Sequence, residues 1–177
     1  MKKALMIASV LIIAVISTAC INNIAVQELN NKAAEFMQKG DYESAVNRLQ
    51  ASIDLDSTMY ETHYNLGVAA NQAKKFDVAI EAFENGLKIN PDYADFYYSL
   101  AGAQYEYSNV LAEEKVEEDK TVAPSEEDLQ KSKELKTSAL ENLKKYLELK
   151  PEADDKASVE ELIKTIEEES VDTKAAE

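Results

Sequence analysis

The chain has 177 residues, of which 34 are acidic and 19 are basic, and its formal net charge is −15 at pH 7. This length supports one domain with a core of its own and excludes a large multidomain enzyme. A body this acidic repels phosphate backbones, which excludes nucleic acid as a partner, and the 4 glycines and 3 prolines are too few for a typical all-β fold.

The N-terminal residues have the order of charge, apolar core and small residues that is typical of a secretory signal. Lys2 and Lys3 precede an apolar run over residues 4–16, and Ser-Thr-Ala-Cys follows at 17–20. We therefore predict a signal peptide over residues 1–19, with the two lysines on the cytoplasmic side and the rest of the chain exported. Removing the signal peptide leaves 17 basic against 34 acidic residues, a net charge of −17.

Cys20 is the only cysteine of the chain and stands where an export peptidase would expose it as the new N-terminus. The run 17–20 resembles the processing site of bacterial lipoproteins, although that family prefers leucine where this chain has Ser17. The resemblance implies that Cys20 carries lipid, that residues 20–25 form a linker, and that the protein is anchored in the cell envelope, at the outer membrane or the periplasmic face. The alternative is an uncleaved signal anchor with a free thiol.

Beyond the signal, the chain aligns with itself at an offset of 34 residues. Each unit contains two segments with apolar residues three and four apart, which predicts a pair of antiparallel helices. In the second unit these helices run over about 61–73 and about 76–89, and Asn90-Pro91 ends the second helix. The matching positions include Leu29, His63 and Tyr97, the small residues Ala33, Gly67 and Ala101, and the pair Leu49 and Phe83.

The small residues of each unit allow the paired helices to approach closely. Gly67 is small where the two backbones meet, and Phe83 fills the space beside it. With Tyr64-Asn65-Leu66-Gly67, Phe76-Asp77-Val78-Ala79-Ile80 and Asn90-Pro91, the unit resembles a tetratricopeptide repeat. The resemblance implies an all-α helical solenoid of three helix pairs, against the alternative of a generic helical bundle. The three units are predicted at residues 26–59, 60–93 and 94–153, together covering 26–153.

The third unit is interrupted between its two helices. The residues that match the second helix reappear at an offset of 60 instead of 34, so 26 residues are inserted, near 108–133. We predict that the insertion lengthens both helices into a projecting hairpin whose first helix continues toward about Glu118 and whose turn lies near 119–124. Ser125 can cap the returning helix, because acidic residues fill the first turn after it. Few apolar residues support the tip, which is expected to be mobile.

The last amphipathic stretch, residues 154–170, lacks the repeat signature. Its apolar residues Val159, Leu162 and Ile166 lie in line, while its other face is almost wholly charged. We predict a helix that caps the exposed end of the stack, followed by a frayed acidic tail over 171–177.

No pattern in the sequence supports catalysis, a cofactor or a metal. His63, the only histidine, falls on the inward face of its helix, so a packed side chain is expected there, and no second His or Cys could complete a transition-metal site. The acidic run 113–119 lacks the spacing of a calcium loop. Phosphate-binding loops, dinucleotide motifs and nucleophile elbows are absent from the sequence. We therefore predict that the protein is not an enzyme and has no cofactor.

The repeat resemblance implies that the first helix of each unit turns its outer face to a shared concave groove. This face is rich in amides and tyrosines, and it lacks the paired basic side chains with which some family members bind a peptide carboxylate. Amides can bond the backbone of an extended segment and tyrosines give rigid contact area, so the expected ligand is a protein or peptide segment, basic or polar. An idle polar surface is the alternative. The predicted groove residues are Asn30, Met37, Tyr64, Val68, Asn71, Tyr98 and Tyr105.

The tyrosines of this face are expected to form one aromatic track that contributes little to folding. Carboxylates are expected along the edge of the track, which favours a basic ligand. These carboxylates are Glu61, Asp95 and Glu106.

Three functions fit the sequence. The first is a membrane-anchored adaptor that binds a segment of another envelope protein during assembly or transport. The second is a structural subunit that associates with copies of itself or a larger complex through the acidic insertion and the cap. The third is a lipoprotein that binds a glycan or a small solute, for which three repeats make an unusually open site.

Overall fold

The computed structural model describes residues 23–117 and 120–175, so the predicted signal peptide and Cys20 lie outside the described residues. The described residues form seven helices and one short β-hairpin. Helix α1 spans 23–38, α2 Tyr42–Leu55, α3 Tyr60–Gln72, α4 Phe76–Ile89, α5 Ala94–Ala112, α6 Glu126–Leu149 and α7 Lys156–Ala175, and strands β1 and β2 span Lys115–Glu117 and Lys120–Val122.

The helices form a row in which each packs on the next. From α2 onward, α2 contacts α3, α3 contacts α4, α4 contacts α5, α5 contacts α6 and α6 contacts α7. The first helices of neighbouring units, α3 and α5, also contact each other, so their outer faces lie side by side. The predicted all-α solenoid of three helix pairs followed by a capping helix is confirmed.

Two turns between paired helices need a residue with positive φ. Gly40, in the turn before α2, has φ +74°, and Lys74, 34 residues later in the turn before α4, has φ +60°. In the later turn the Lys74 amide donates to the Asn71 carbonyl at 2.9 Å, and the Lys75 amide donates to the Ala70 carbonyl at 2.8 Å. These bonds satisfy carbonyls at the end of α3. Lys74 adopts the left-handed conformation at a steric cost that glycine avoids.

The seams between helices are built on glycine and phenylalanine. A Cβ on Gly67 would lie 2.4 Å from the ring of Phe83, and a Cβ on Gly86 would lie 2.1 Å from the ring of Phe96. Both phenylalanines are almost completely buried, with 1% and 0% of their surface exposed. Glycine is therefore required at both positions for the rings to occupy these seams.

The insertion is less helical than expected. Helix α5 ends at Ala112 and not near Glu118, and a β-hairpin pairs Val116 with Thr121 in antiparallel register. The helical pattern loses its packing partner after Leu111, and the following β-branched residues favour extended backbone. The predicted cap is confirmed, because the Ser125 hydroxyl oxygen accepts a hydrogen bond from the Asp128 amide at 3.1 Å.

Both ends of the described chain are more helical than predicted. Residues 23–25, expected in a linker, already belong to α1, and α7 continues to Ala175 through most of the expected acidic tail. Val159 and Ile166 of α7 are buried against the third helix pair, which gives this helix the capping position expected for it. Among residues 23–117 and 120–175, no helix combines the length and hydropathy needed to cross a membrane.

Candidate partner-binding groove

An open cavity of about 290 Å³ lies between α3 and α5 and reaches α7. We call this cavity and the surface around it the groove. Buried residues of the second helices form its floor, and the outer faces of α3 and α5 form its sides. Among the described residues, no lysine or arginine lines the cavity. The lining residues are Val68, Asn71, Gln72, Phe83, Tyr98, Ser99, Gly102, Glu106, Leu143 and Leu162.

Tyr98 is the most exposed aromatic side chain of the groove, with 43% of its surface accessible. Its ring contacts the ring of Tyr146 of α6, with centroids 5.2 Å apart. The Tyr146 hydroxyl donates to Asp155 at 2.8 Å, and burial together with this acidic partner raises the pKa of Tyr146 to about 12. Tyr98 thus contacts a ring that is held in place by Asp155, and it also lines the cavity.

Tyr64 has a different environment from the one expected. Its ring lies 5.9 Å from Phe83, 5.8 Å from Tyr93 and 5.3 Å from Phe96, measured between ring centroids. Its hydroxyl accepts a hydrogen bond from Ser99 at 3.2 Å. The expectation that this tyrosine contributes little to folding is wrong, because its ring packs against the core rings that join the second and third units.

Tyr105 is held by the capping helix. Its hydroxyl donates to Glu169 of α7 at 2.9 Å, and the same carboxylate forms an ion pair with Lys136 at 2.6 Å. Burial raises the pKa of Tyr105, and Glu169 adds to that rise. Burial also opposes the charge on Glu169, but the hydrogen bonds from Lys136 and Tyr105 outweigh it and lower the pKa of this carboxyl. Tyr105 therefore does not continue an open aromatic track from Tyr98.

The predicted amides of the groove also fasten helices together. The Asn30 amide group donates to Ser52 at 3.2 Å and to Thr62 at 3.1 Å, which joins α1 to α2 and α3. Asn71 donates to Glu106 at 3.3 Å across α3 and α5. The amide oxygens of both asparagines are buried without a hydrogen-bond partner in the described residues. Of the two asparagines, only Asn71 lines the cavity.

The two remaining predicted groove residues are only partly accessible. Met37 and Val68 are half-buried and pack against the first hydrophobic cluster, which extends from α1 to α5. Val68 also lines the cavity, whereas Met37 does not. The repeat pattern therefore predicted that these residues lie on first helices, but it did not show which of their side chains are accessible.

The acidic edge of the groove is more nearly neutral than the sequence suggests. Lys150 forms an ion pair with Asp95, and Lys74 forms one with Glu106 at 2.9 Å. The two lysines come from the turn after α6 and the turn after α3, so a spacing analysis of the first helices alone could not find them. Of the expected acidic residues, Glu61 is exposed on α3.

His63 packs inside its unit, as its place in the repeat predicted. It is 5% exposed, and its Nε2 lies 3.0 Å from the backbone oxygen of Ser57. Within the part of the chain that the structure describes, no three His, Cys, Asp or Glu side chains are grouped to hold a metal ion.

A second, larger concavity of about 640 Å³ lies where α5 extends beyond the turn before α4. We call it the insertion corner, and it is mainly apolar. The rings of Phe76 and Tyr107 stack there with centroids 5.3 Å apart, and Lys131 lies 4.5 Å from the Tyr107 centroid. The apolar spacing past the usual end of the first helix was the sequence signal for this site. The lining residues are Lys74, Lys75, Phe76, Asp77, Val78, Tyr107 and Val110.

The fold and the groove define an α-helical repeat solenoid with an open concave face. The sequence model described as tetratricopeptide repeat matches residues 30–94 and 72–116, so the chain contains tetratricopeptide repeats. A curated relative, protein bimA of Emericella nidulans, is 33% identical over 60 residues, which are 34% of this chain and 7% of that protein. The chain therefore matches only a small part of this relative's length.

Solved structures share the fold at low sequence identity. The first tetratricopeptide domain of human RPAP3 has a TM-score of 0.62 and 18% identity, covering 83% of this chain and 95% of that one. The TPR2B domain of yeast Sti1, in a complex with pHsp70, has a TM-score of 0.62 and 16% identity over 82% and 98% of the two chains. The Yersinia enterocolitica type III secretion chaperone SycD, with a peptide of the translocator YopD, has a TM-score of 0.58 and 18% identity over 84% and 93%.

Proposed function

We propose that this chain is a membrane-anchored adaptor whose groove binds a segment of a partner protein during envelope assembly or transport. The observation that carries this proposal is the open cavity between α3 and α5, where Tyr98, amide side chains and apolar surface converge and no lysine or arginine of the described residues is present. Such a lining suits an extended polypeptide, which offers backbone groups to the amides and side chains to the apolar surface.

The structural relatives support a peptide ligand over a small solute. The SycD structure holds a peptide of the translocator YopD, the Sti1 domain is in a complex with pHsp70, and the solenoid of this chain resembles both over most of its length. The groove is also open along one side, whereas small solutes bind in enclosed pockets that cover most of their surface.

A site-specific photo-crosslinker tests the groove in intact cells. Placed at Tyr98, benzoylphenylalanine is expected to give a discrete crosslink to one partner, because this side chain reaches the ligand. The matched control is Ile89, which is 41% exposed, as against 43% for Tyr98, but lies in the last turn of α4, outside the cavity lining. Equal crosslinking at both positions to the same proteins would contradict a groove-specific ligand.

The anchor is the second part of the proposal and rests on the sequence around Cys20. Cys20→Ser is expected to prevent acylation and to release or misprocess the protein, whereas Ser17→Ala is the control that keeps the cysteine. Intact-mass measurement of the purified protein gives the direct answer. A native chain that still begins with Met1 would support the uncleaved signal anchor instead.

The insertion corner favours one competing function, a structural subunit that associates through its third repeat. Val110 is 42% exposed there beside the stacked rings of Phe76 and Tyr107. If self-association is the function, Val110→Asp lowers the molecular mass measured by light scattering in detergent, while Tyr98→Ala leaves it unchanged. The adaptor proposal expects the opposite ranking in the crosslinking experiment, with Val110→Asp harmless.

A further inference from the structure

Three glycines lie inside helices, and packing explains only two of them. Gly67 and Gly86 lie against phenylalanine rings, whereas a Cβ on Gly102 would have no atom of another helix of the described chain within 4 Å. Glycine in the middle of a helix costs about 1 kcal/mol relative to alanine. The fold gains nothing from this cost at Gly102, since alanine would fit there without a contact.

Gly102 lines the groove cavity at the position that Val68 occupies in the preceding unit, 34 residues earlier. Any side chain at Gly102 would project into open space between α5 and the rest of the cavity. The missing side chain therefore enlarges the cavity, and the surrounding surface is well formed. Phe83 and Leu143, each 1% exposed, are fixed in the core, and Leu162 of the capping helix closes the far side.

We infer that the cavity at Gly102 is a socket for one bulky apolar side chain of the partner segment, and that Gly102 determines its size. This inference rests on the proposed function, because it names what the groove selects. An engineered cavity of about 150 Å³ lined by aliphatic side chains accepts benzene. The open volume of about 290 Å³ therefore has room for a leucine, methionine or phenylalanine side chain.

The charge around the socket determines which charge the bound partner segment can carry. Glu106 is the one charged residue of the described chain that lines the cavity, and the whole protein carries a formal charge of −15. Its ion pair with Lys74 is exposed, so it is weak, and a cation of the ligand can compete with it. An acidic segment would be repelled at long range. The occupant is therefore an extended, neutral or basic segment with a bulky apolar residue at its centre.

The test uses the full chain in detergent micelles and a phage-displayed library of random 12-residue peptides. Peptides enriched on the parent protein are expected to share a leucine, methionine or phenylalanine beside a lysine or arginine. Gly102→Leu fills the socket from the protein side and is expected to weaken the enriched peptides tenfold or more by calorimetry. Gly102→Ala is expected to weaken peptide binding several-fold. It should also raise Tm by about 2–4 °C, because alanine has a higher helix propensity than glycine.

Ala34→Leu is the matched control, since Ala34 occupies the same repeat position on α1 and does not line the cavity. It should leave the affinity unchanged. Methyl NMR gives a second readout, in which a bound peptide shifts the Val68 and Leu162 methyl signals of the parent but not those of Gly102→Leu.

The outcomes separate the socket from the groove. Enriched peptides that bind Gly102→Leu as tightly as the parent, yet lose affinity in Tyr98→Ala, would overturn the socket and leave the groove as the binding surface. Acidic peptides, or peptides without a bulky apolar residue, would also overturn the inference. Failure to enrich any peptide on the parent would count against the groove and the socket together.

Discussion

The seams between helices and the groove use the same residue types under different constraints. In the seams, Gly67 and Gly86 make room for phenylalanine rings that are almost fully buried, whereas the space beside Gly102 in the groove is not filled by another helix of the described chain. Tyr64 packs among core rings, whereas Tyr98, 34 residues later, has 43% of its surface exposed. Equivalent positions of a repeat can therefore serve stability in one unit and leave surface for a ligand in the next.

The largest expected effect is a difference in stability loss between Tyr64→Ala and Tyr98→Ala. Complete loss of a buried aromatic side chain costs about 3–5 kcal/mol, so Tyr64→Ala, which removes a half-buried ring with three aromatic neighbours, should cost about 2–4 kcal/mol. Tyr98→Ala should cost about 1 kcal/mol or less, because it loses mainly the contact with Tyr146. Urea unfolding of both variants gives the comparison. Equal losses would mean that Tyr98 also belongs to the core.

Alanine substitutions at Gly67 and Gly102 should change the stability of the protein in opposite directions. Gly67→Ala places a methyl group against the Phe83 ring, and such overpacking costs about 1–3 kcal/mol. The added methyl group of Gly102→Ala meets no atom of another helix of the described chain, and the substitution should stabilise the protein by up to about 1 kcal/mol through helix propensity alone. Thermal unfolding of the two variants in parallel measures both changes. A loss of stability in Gly102→Ala would show that other atoms of the folded protein already occupy the space beside Gly102.

The capping helix should detach more easily in acid. The pKa of Glu169 in the folded protein lies below its ordinary value of 4.5, so the folded state holds the ionised carboxylate more strongly than the unfolded state does. The stabilisation is complete above pH about 4.5 and is lost as the pH falls through the folded-state value. Glu169→Gln should therefore lose this part of the acid dependence and cost roughly 1 kcal/mol or less at neutral pH.

Hydrogen exchange of the α7 amides, followed from pH 7 to pH 4, resolves this effect from global unfolding. The control is Glu160→Gln, because Glu160 is an exposed residue on the same helix. If both variants follow the same pH profile, the bonds to Tyr105 and Lys136 do not hold the helix in place.

The smallest effect concerns the turn before α4. Lys74 has φ +60°, where the equivalent turn of the first unit has Gly40, so Lys74→Gly should relieve steric strain worth about 1 kcal/mol. Loss of the exposed ion pair with Glu106 offsets part of this gain, and the net change should be a rise in Tm of about 1–3 °C. Lys74→Ala, which loses the ion pair and keeps the strain, is the control and should not be more stable than the parent.

Much of the fold could be predicted because residues close together in the sequence of each repeat indicate its helices and turns. Gly67 and Phe83 indicate a close helix pair, and Asn90-Pro91 indicates where the second helix ends. The end of α5 at Ala112 could not be predicted in the same way, because the charged residues 113–119 that follow contain no glycine or proline to mark a helix end. The length of α7 was underestimated because its charged surface resembles that of a frayed tail.

The sequence by itself determined the repeat, the helix pairs, the cap at Ser125 and the inward place of His63, because helical periodicity and small residues are properties of neighbouring positions along the chain. Only the tertiary structure decided which groove residues stay accessible. Tyr105 is covered by Glu169, which lies 64 residues later, and Asp95 is paired with Lys150, which lies 55 residues later. Contacts between residues this far apart in the sequence depend on how the units stack, so the residue spacing within one helix does not predict them.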